Sequence, residues 1–447
     1  MRPYLEILKL VWPLALGMIN NAVLQFTDRM FLAHDSVEAL EAVLPASALA
    51  WIFMSFFQSV VGYSNVFVAR YYGAGETEKC RTCYHAAMCI AICSGLLMLP
   101  LWPFGDWLLA LFSPSESVGM LQRQYYDIVI LGGFAIYGQM AAASYFTGQG
   151  RTRLVFWVNL VGNLVNVALD PILIFGYCGF PRMGIAGAAY ATVFAMVVQM
   201  IVLIWAVRRD RVKMERTSDS IIRLFDYSII CSILRFGVPA GAYTVLNMLS
   251  FTIFVFFTGR IGNIELAVSN ACFTVNYLLI APMEGFALGA ATLVGQALGR
   301  KDVPEAFRVG NRTMVLGVVF VAVLSAVVIV LYRPILSVFA SRVGAGDVSQ
   351  FYSLGFTLFI LMAAWQVFDA ADIVILGALK GAGDTKFVMG MMFVVSFVIW
   401  IPLVWLVSVF HNTMVMLWGT IVVDVVILCA GSMVRWYGGF WKRIKMI

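Results

Sequence analysis

Long apolar runs separated by short polar connectors organise this chain from end to end. A helix that crosses a bilayer needs roughly 20 apolar residues. Runs of that length lie at 10–33, 42–69, 84–111, 123–147, 154–177, 185–207, 229–258, 265–297, 309–332, 350–377, 387–409 and 413–435. Short strands of alternating polarity, the mark of a membrane barrel, do not recur. The pattern predicts an all-α polytopic membrane protein with twelve spans. The longest polar connector, "RRDRVKMERTSDSIIRLFDYS" (208–228), falls in the middle. It divides the chain into an N-terminal six-helix lobe (1–208), a linker (209–228), a C-terminal six-helix lobe (229–436) and a tail (437–447).

The two halves repeat. Pro13 and Pro239 are 226 residues apart, as are "VARYYGAGE" from Val68 and "VGQALGRKD" from Val294. "GQGRTR" from Gly148 and "GAGDTK" from Gly381 match at the nearby offset of 233. Transporters built from repeats often hold their substrate near the midplane between the repeats.

Charge sets the orientation. Of 30 Lys and Arg, 24 fall on one side if both termini and the even-numbered loops share it. By the positive-inside rule that side is cytoplasmic, in an inner or plasma membrane. The other side receives Arg29, Arg123, Arg182, Arg260, Arg333 and Arg342, placed for interfacial snorkelling. The net charge of +6 is thereby explained without a nucleic-acid partner. Hydrophobic residues make up 62% and charged residues 12%, which leaves no room for a sizeable soluble catalytic domain. The opening "MRPYLEILKLVWPLALG" is interrupted by Glu6 and Lys9 and reads as a lead into the first span, not a signal peptide. Cys80 and Cys83 form a lone CxxC, read as loop thiols facing a reducing cytoplasm.

Against this apolar background a few acids stand out. A charge at a helix centre costs about 2.5–3.5 kcal/mol on insertion scales, so each is a functional candidate. They are Asp28, Asp170, Glu284, Asp369, Asp372 and Asp424, with Asp127 nearer an interface. In "NVALDPILIF", Asn166 is four residues before Asp170, on the same helix face. Pro171 has no N–H to donate and leaves carbonyl oxygens of the preceding turn without a partner. Carboxylate, amide oxygen and free carbonyl suit Na⁺. The same place suits a proton, because burial and a neighbouring carboxylate favour the uncharged carboxyl. The competing reading is a protonated Asp that only ties helices together. Asp369 and Asp372 share a face of the tenth span, and Glu284 follows Pro282 in the eighth. Pro13, Pro171, Pro239 and Pro282 are expected to kink their helices.

Several stretches together resemble the multidrug and toxic compound extrusion (MATE) family of cation-coupled efflux transporters. They are Pro13 with "FTDRMFLA", then "GQGRTR…NLVGNLVNVALDPILIFG…MGIAGAAYATV", "PMEGFALGAATLVGQALG", "FDAADIVILGALKGAGDTK" and the ending "RWYGGFWKRI". The resemblance runs nearly end to end. It implies two six-helix bundles around a central cavity that opens to alternate sides. It implies a DinF-like proton or Na⁺ site in the N-terminal lobe, at Asp28, Asn166, Asp170 and Thr192. In the NorM-like branch the C-terminal lobe carries an acid on span seven and an Asp on span ten; Asp369 matches the second, and Asn247 replaces the first. Asp369, Asp372, Asn247 and Glu284 are then residues of a C-lobe cavity.

The function expected is antiport: a proton or Na⁺ moves in, and a small organic cation or a metabolite moves out. A single chain supplies both halves, so a monomer is expected, with no cofactor beyond the coupling ion and no metal beyond Na⁺ at Asp28 and Asp170. A flippase or exporter of a lipid-linked or other metabolite precursor is the alternative, disfavoured because basic residues lie almost wholly outside the spans. A haem redox enzyme needs paired intramembrane His, and His34, His85 and His411 lie at span ends. A passive channel is disfavoured by the repeat and by acids in both halves. "GQGRTR" lacks the spacing of a phosphate-binding loop, and the small-residue pairs Gly285/Gly289 and Gly295/Gly299 suit close helix packing.

Overall fold

A computed structural model describes residues 2–110, 116–213, 226–340, 348–410, 413–444 and 446. Most of the expected linker therefore lies outside the described residues. Among the described residues, seventeen α-helices follow in chain order. They are α1 (Arg2–Asp35), α2 (Val37–Gly62), α3 (Ser64–Gly73), α4 (Thr77–Met98), α5 (Gly105–Ala110), α6 (Glu116–Gly132), α7 (Phe134–Gly148), α8 (Thr152–Phe175) and α9 (Ile185–Lys213). Then come α10 (Tyr227–Thr258), α11 (Asn263–Gly299), α12 (Val303–Val330), α13 (Tyr332–Ala340), α14 (Val348–Ala382), α15 (Thr385–Met392), α16 (Ile401–Phe410) and α17 (Met414–Tyr437). A π-helical stretch, Phe393–Trp400, links α15 to α16. No strand occurs among the described residues.

Among the described residues, eleven helical segments are long and apolar enough to cross a membrane, and a bent pair makes twelve. That pair is α6 and α7, which meet at 42°. The sequence predicts a single fourth span there, at 123–147. The break falls at Gly132–Gly133, since a glycine pair lets a helix bend where hydropathy shows only an apolar run. At Pro13, Pro171, Pro239 and Pro282 the helix continues through the proline. Cys80 and Cys83 are not loop thiols. The preceding turn is short, so both fall inside α4 and are buried, with Cys80 Sγ donating to Val68 O at 3.5 Å.

Close contacts divide the chain into two compact units. One comprises Ile19–Val245 with Leu298–Lys301; the other comprises Met1–Met18, Leu246–Ala297 and Asp302–Ile447. In the first, α8 packs on α9, α7 on α9, α4 on α7, and α2 on α6. A small apolar cluster of Leu32, Val43, Val118, Ile174 and Ile185 ties α1, α2, α6, α8 and α9 together. Arg182, in the connection after α8, pairs with Asp35 at the end of α1 at 2.7 Å.

In the second unit α14 is the central helix, packed on α12 and α17. Its core is aromatic. Phe273 stacks on Trp418 at 4.6 Å and Phe254 on Trp400 at 5.4 Å. The buried indoles also find partners: Trp418 Nε1 donates to Ser269 at 2.9 Å and Trp400 Nε1 to Thr420 at 3.0 Å. The first turns of α1 belong to this unit because Gly285 and Gly289 of α11 let Ala15 and Val11 come into contact. Trp441 of the tail is buried and stacks on Trp436 at 4.5 Å.

Candidate functional site

Leu32, Ile174 and Ile185 close the first unit with an apolar layer, and polar groups gather beside that layer. Asp170 sits five residues before the end of α8 at Phe175, where Gly176 turns the chain with φ 79°. Asn166 lies one turn earlier on the same face, and both side chains are fully buried. The C-terminal half of α1 brings in Asp28, half-buried, whose carboxyl comes within hydrogen-bonding reach of the Asp170 carboxyl.

Asn166 bridges two helices. With its nitrogen toward the carboxyl it donates to Asp28 Oδ1 at 3.0 Å, and its oxygen accepts from the Thr192 N–H at 3.0 Å. The Thr192 hydroxyl donates to Ala188 O at 2.9 Å and stands 3.3 Å from the same end of the amide. Thr192 reaches this place because α9 runs hard against α8. A Cβ on Gly187 would lie 2.6 Å from the Leu173 carbonyl, so only glycine allows the approach. The structure thus brings Asp28, Asn166, Asp170 and Thr192 together from α1, α8 and α9.

A fifth group was not singled out from sequence. Tyr125 of α6 stands close enough to both carboxyls to interact with their charges. It packs half-buried against the apolar layer, and nothing in its own heptad distinguishes it from an interfacial tyrosine. One oxygen of Asp170, Oδ1, is buried with no hydrogen-bond partner among the described residues. A buried polar atom without a partner costs about 1–3 kcal/mol. No group of three or more His, Cys, Asp or Glu suited to a metal occurs among the described residues.

The second unit holds the remaining candidates. Asp369 and Asp372 lie on α14, Asp424 on α17 and Glu284 on α11. Asp372 and Asp424 are buried, Asp369 is half-buried and Glu284 is exposed. Ser432 and Ser396 come within hydrogen-bonding reach of Asp372 and Asp424. One oxygen of each of these two carboxyls lacks a partner among the described residues. Lys380, grouped by sequence with the basic inner side, sits in the last turn of α14, near enough to Glu284 and Asp372 to interact with both charges. Asn247 on α10 offers its backbone carbonyl to Ser250 and makes no hydrogen bond to the acids among the described residues.

Known proteins share this architecture. A MOP superfamily transporter from Pyrococcus furiosus superposes with a TM-score of 0.88 at 18% identity, over 99% of this chain and 97% of that one. A multidrug resistance MATE family transporter in an outward-facing conformation gives 0.87 at 17% identity, over 98% and 95%. In sequence, the probable multidrug resistance protein NorM of Thermotoga maritima is 25% identical over 98% of this chain and 94% of its own length. The probable multidrug resistance protein YoeA of Bacillus subtilis is 24% identical over 74% and 72%. The profile of the MatE family matches twice, at residues 13–172 and 239–406. The two matches begin at Pro13 and Pro239, the 226-residue interval of the internal repeat. The chain belongs to the MatE family of multidrug and toxic compound extrusion transporters.

Proposed function

We propose that this chain exports small organic, mainly cationic, drugs or metabolites in exchange for an inward-moving proton or Na⁺, by alternating access. The relatives named as multidrug resistance proteins support that class of cargo. The DinF-like arrangement of the coupling site rests on Asp28, Asn166, Asp170 and Thr192. The observation that carries the reading is the Asp28–Asp170 carboxyl pair, within hydrogen-bonding reach of each other in a desolvated place. Two such carboxyls cannot both be ionised without a cation, so the pair holds a proton or its substitute. The Asn166 amide oxygen is turned to the Thr192 N–H, so a proton fits without rearrangement, whereas Na⁺ requires the amide to turn.

Loading the pair removes its negative charge, and release restores it. Coupling follows if the two states of the transporter bind cation and cargo with different affinity. Asp369, Asp372, Glu284 and Asn247 serve the cargo in the second unit, with exposed Glu284 and half-buried Asp369 as the carboxyls open to an organic cation. Aromatic residues, 14% of the chain, add cation–π partners.

The test is uptake of an ethidium-like cation into proteoliposomes under a proton gradient or a Na⁺ gradient, imposed separately. One gradient is expected to drive uptake, and Asp28→Asn and Asp170→Asn each to abolish it. Uptake that follows a gradient but survives both substitutions moves coupling to Asp369 and Glu284. Uptake driven by neither gradient refutes cation-coupled drug export.

A further inference from the structure

The carboxyl pair ends a longer polar file inside its unit. Along α8, Asn159, Asn163, Asn166 and Asp170 recur at intervals of four, three and four, one stripe of the helix. On α1, Asn21 and Asp28 are seven residues apart, the same interval that separates Asn163 from Asp170. Asn163 Nδ2 donates to Asn21 Oδ1 at 3.0 Å, and two turns later the carboxyls meet. The two helices therefore run parallel and in register here, with an amide pair about 10 Å from the carboxyl pair, toward the start of α8.

The file then continues. Gln199 on α9 donates through Nε2 to Asn163 Oδ1 at 3.2 Å and to Asn159 O at 3.3 Å. Gln139 on α7 donates to Asn159 Oδ1 at 3.0 Å. Gly162 makes room for Gln199, whose amide would overlap any Cβ at that position. Asn163 and Gln199 are 6% and 7% exposed. From Asp170 to Asn159 the file covers about 16 Å of helix. About 12 Å more reaches Arg151 at the start of α8, the end that the distribution of basic residues assigns to the cytoplasm.

Helix cohesion alone does not account for this placement. An interhelical hydrogen bond within a membrane is worth about 0.6 kcal/mol on average, little more than apolar packing gives. Six amides in one file, joined to the carboxyl pair and leading away from it, provide donors and acceptors at every step for water or a bare cation. We propose that this file is the inward route by which the coupling cation leaves Asp28 and Asp170, with Asn163 and Gln199 as its narrow point. A proton travels on water held between the amides, and Na⁺ on their oxygens. The inference rests on the coupling role of the carboxyl pair proposed above.

The test uses the full chain in proteoliposomes and two modes of transport. Gradient-driven uptake, under proton and Na⁺ gradients in separate arms, requires release of the cation inward. Exchange of labelled for unlabelled substrate at zero gradient does not. The ratio of the two rates cancels differences in the amount of folded protein. Asn163→Leu and Gln199→Met, which block the file with apolar atoms, are expected to lower that ratio about tenfold or more. Asn163→Ser breaks the bonds to Asn21 and Gln199 yet leaves space for water, and is expected to keep the ratio within about threefold. If the amides only bind helices together, Ser is as damaging as Leu and the ratio does not separate them; that result overturns the proposal. So does a wild-type ratio in both apolar variants. Gln199→Met preserves side-chain length and carries the test if Asn163→Leu does not reach the membrane. If wild type follows no gradient, the coupling reading falls and this one with it. If wild type is driven and Asp170→Asn is not, an unaffected Asn163→Leu removes this inference alone.

Discussion

Asn166 can be changed in chemistry with little change in size, and the outcome tells a proton from Na⁺. An amide that donates to a carboxylate favours its charged form. Asn166→Leu removes that donor from Asp28. For a proton-coupled site the variant then holds its proton more tightly and releases it more slowly. Gradient-driven uptake is expected to reach half of its maximum at a higher external pH, with a lower maximal rate. A hydrogen bond to a charged group is worth about 1.5–3 kcal/mol, so the displacement is about one to two pH units. For a Na⁺-coupled site the same substitution removes an oxygen ligand, and half-saturation moves to higher Na⁺. Uptake titrated against external pH and against Na⁺ separates the two. Thr192 and Asp28 lie 164 residues apart, and the bridge between them depends on the turn of a single amide. The sequence places the four residues on their helices, but it contains no information on which end of Asn166 faces which helix.

At the scale of elements, two contacts are decisive. Gly187 brings α9 against the Leu173 backbone. Gly187→Val forces α9 away, and overpacking of this kind costs about 1–3 kcal/mol. The expected outcome is a lower unfolding temperature in detergent, together with weakened coupling, since Thr192 lies little more than one turn on. In the other unit, Trp418 stacks on Phe273 and donates to Ser269. Trp418→Ala is expected to destabilise by about 3–5 kcal/mol, read from thermal unfolding, without changing the coupling ion. Hydropathy identified the apolar spans because burial in lipid demands long apolar helices. It was blind to the break at Gly133, since glycine in an apolar run barely alters a hydropathy average. It also missed the amides of the polar file: Asn163 and Gln199 are single polar residues on different helices, and only the packing shows that they touch. Cys80 and Cys83 were misplaced for a related reason. A polar stretch reads as loop, whereas "TEKCRTC" forms the first turns of α4.

For the whole molecule, the repeat was legible as an interval and the family profile begins its two matches at that interval. The units themselves were less so. The dividing line crosses α1 after Met18 and α10 after Val245, and helices that pass from one unit into the other have no compositional mark. The proposed orientation can be checked on the native chain. Cys178 is exposed in the connection after α8, and the proposed orientation puts that connection on the outer side. A membrane-impermeant maleimide added to intact cells is expected to label it, and Cys178→Ser to remove that label; labelling only after permeabilisation reverses the topology. In the same orientation, the position of Asp170 has an electrical meaning. It lies about 7.5 Å from the outer end of α8 and about 27 Å from the inner end. A cation loading from outside thus crosses roughly a fifth of the membrane field, and one leaving inward crosses the rest. One charge moved through 100 mV is worth about 2.3 kcal/mol. Roughly 0.5 kcal/mol of that acts on loading and roughly 1.8 on departure. For the coupling proposed above, voltage governs chiefly how fast the emptied carboxylates are regenerated, and barely how tightly the outer face captures its cation.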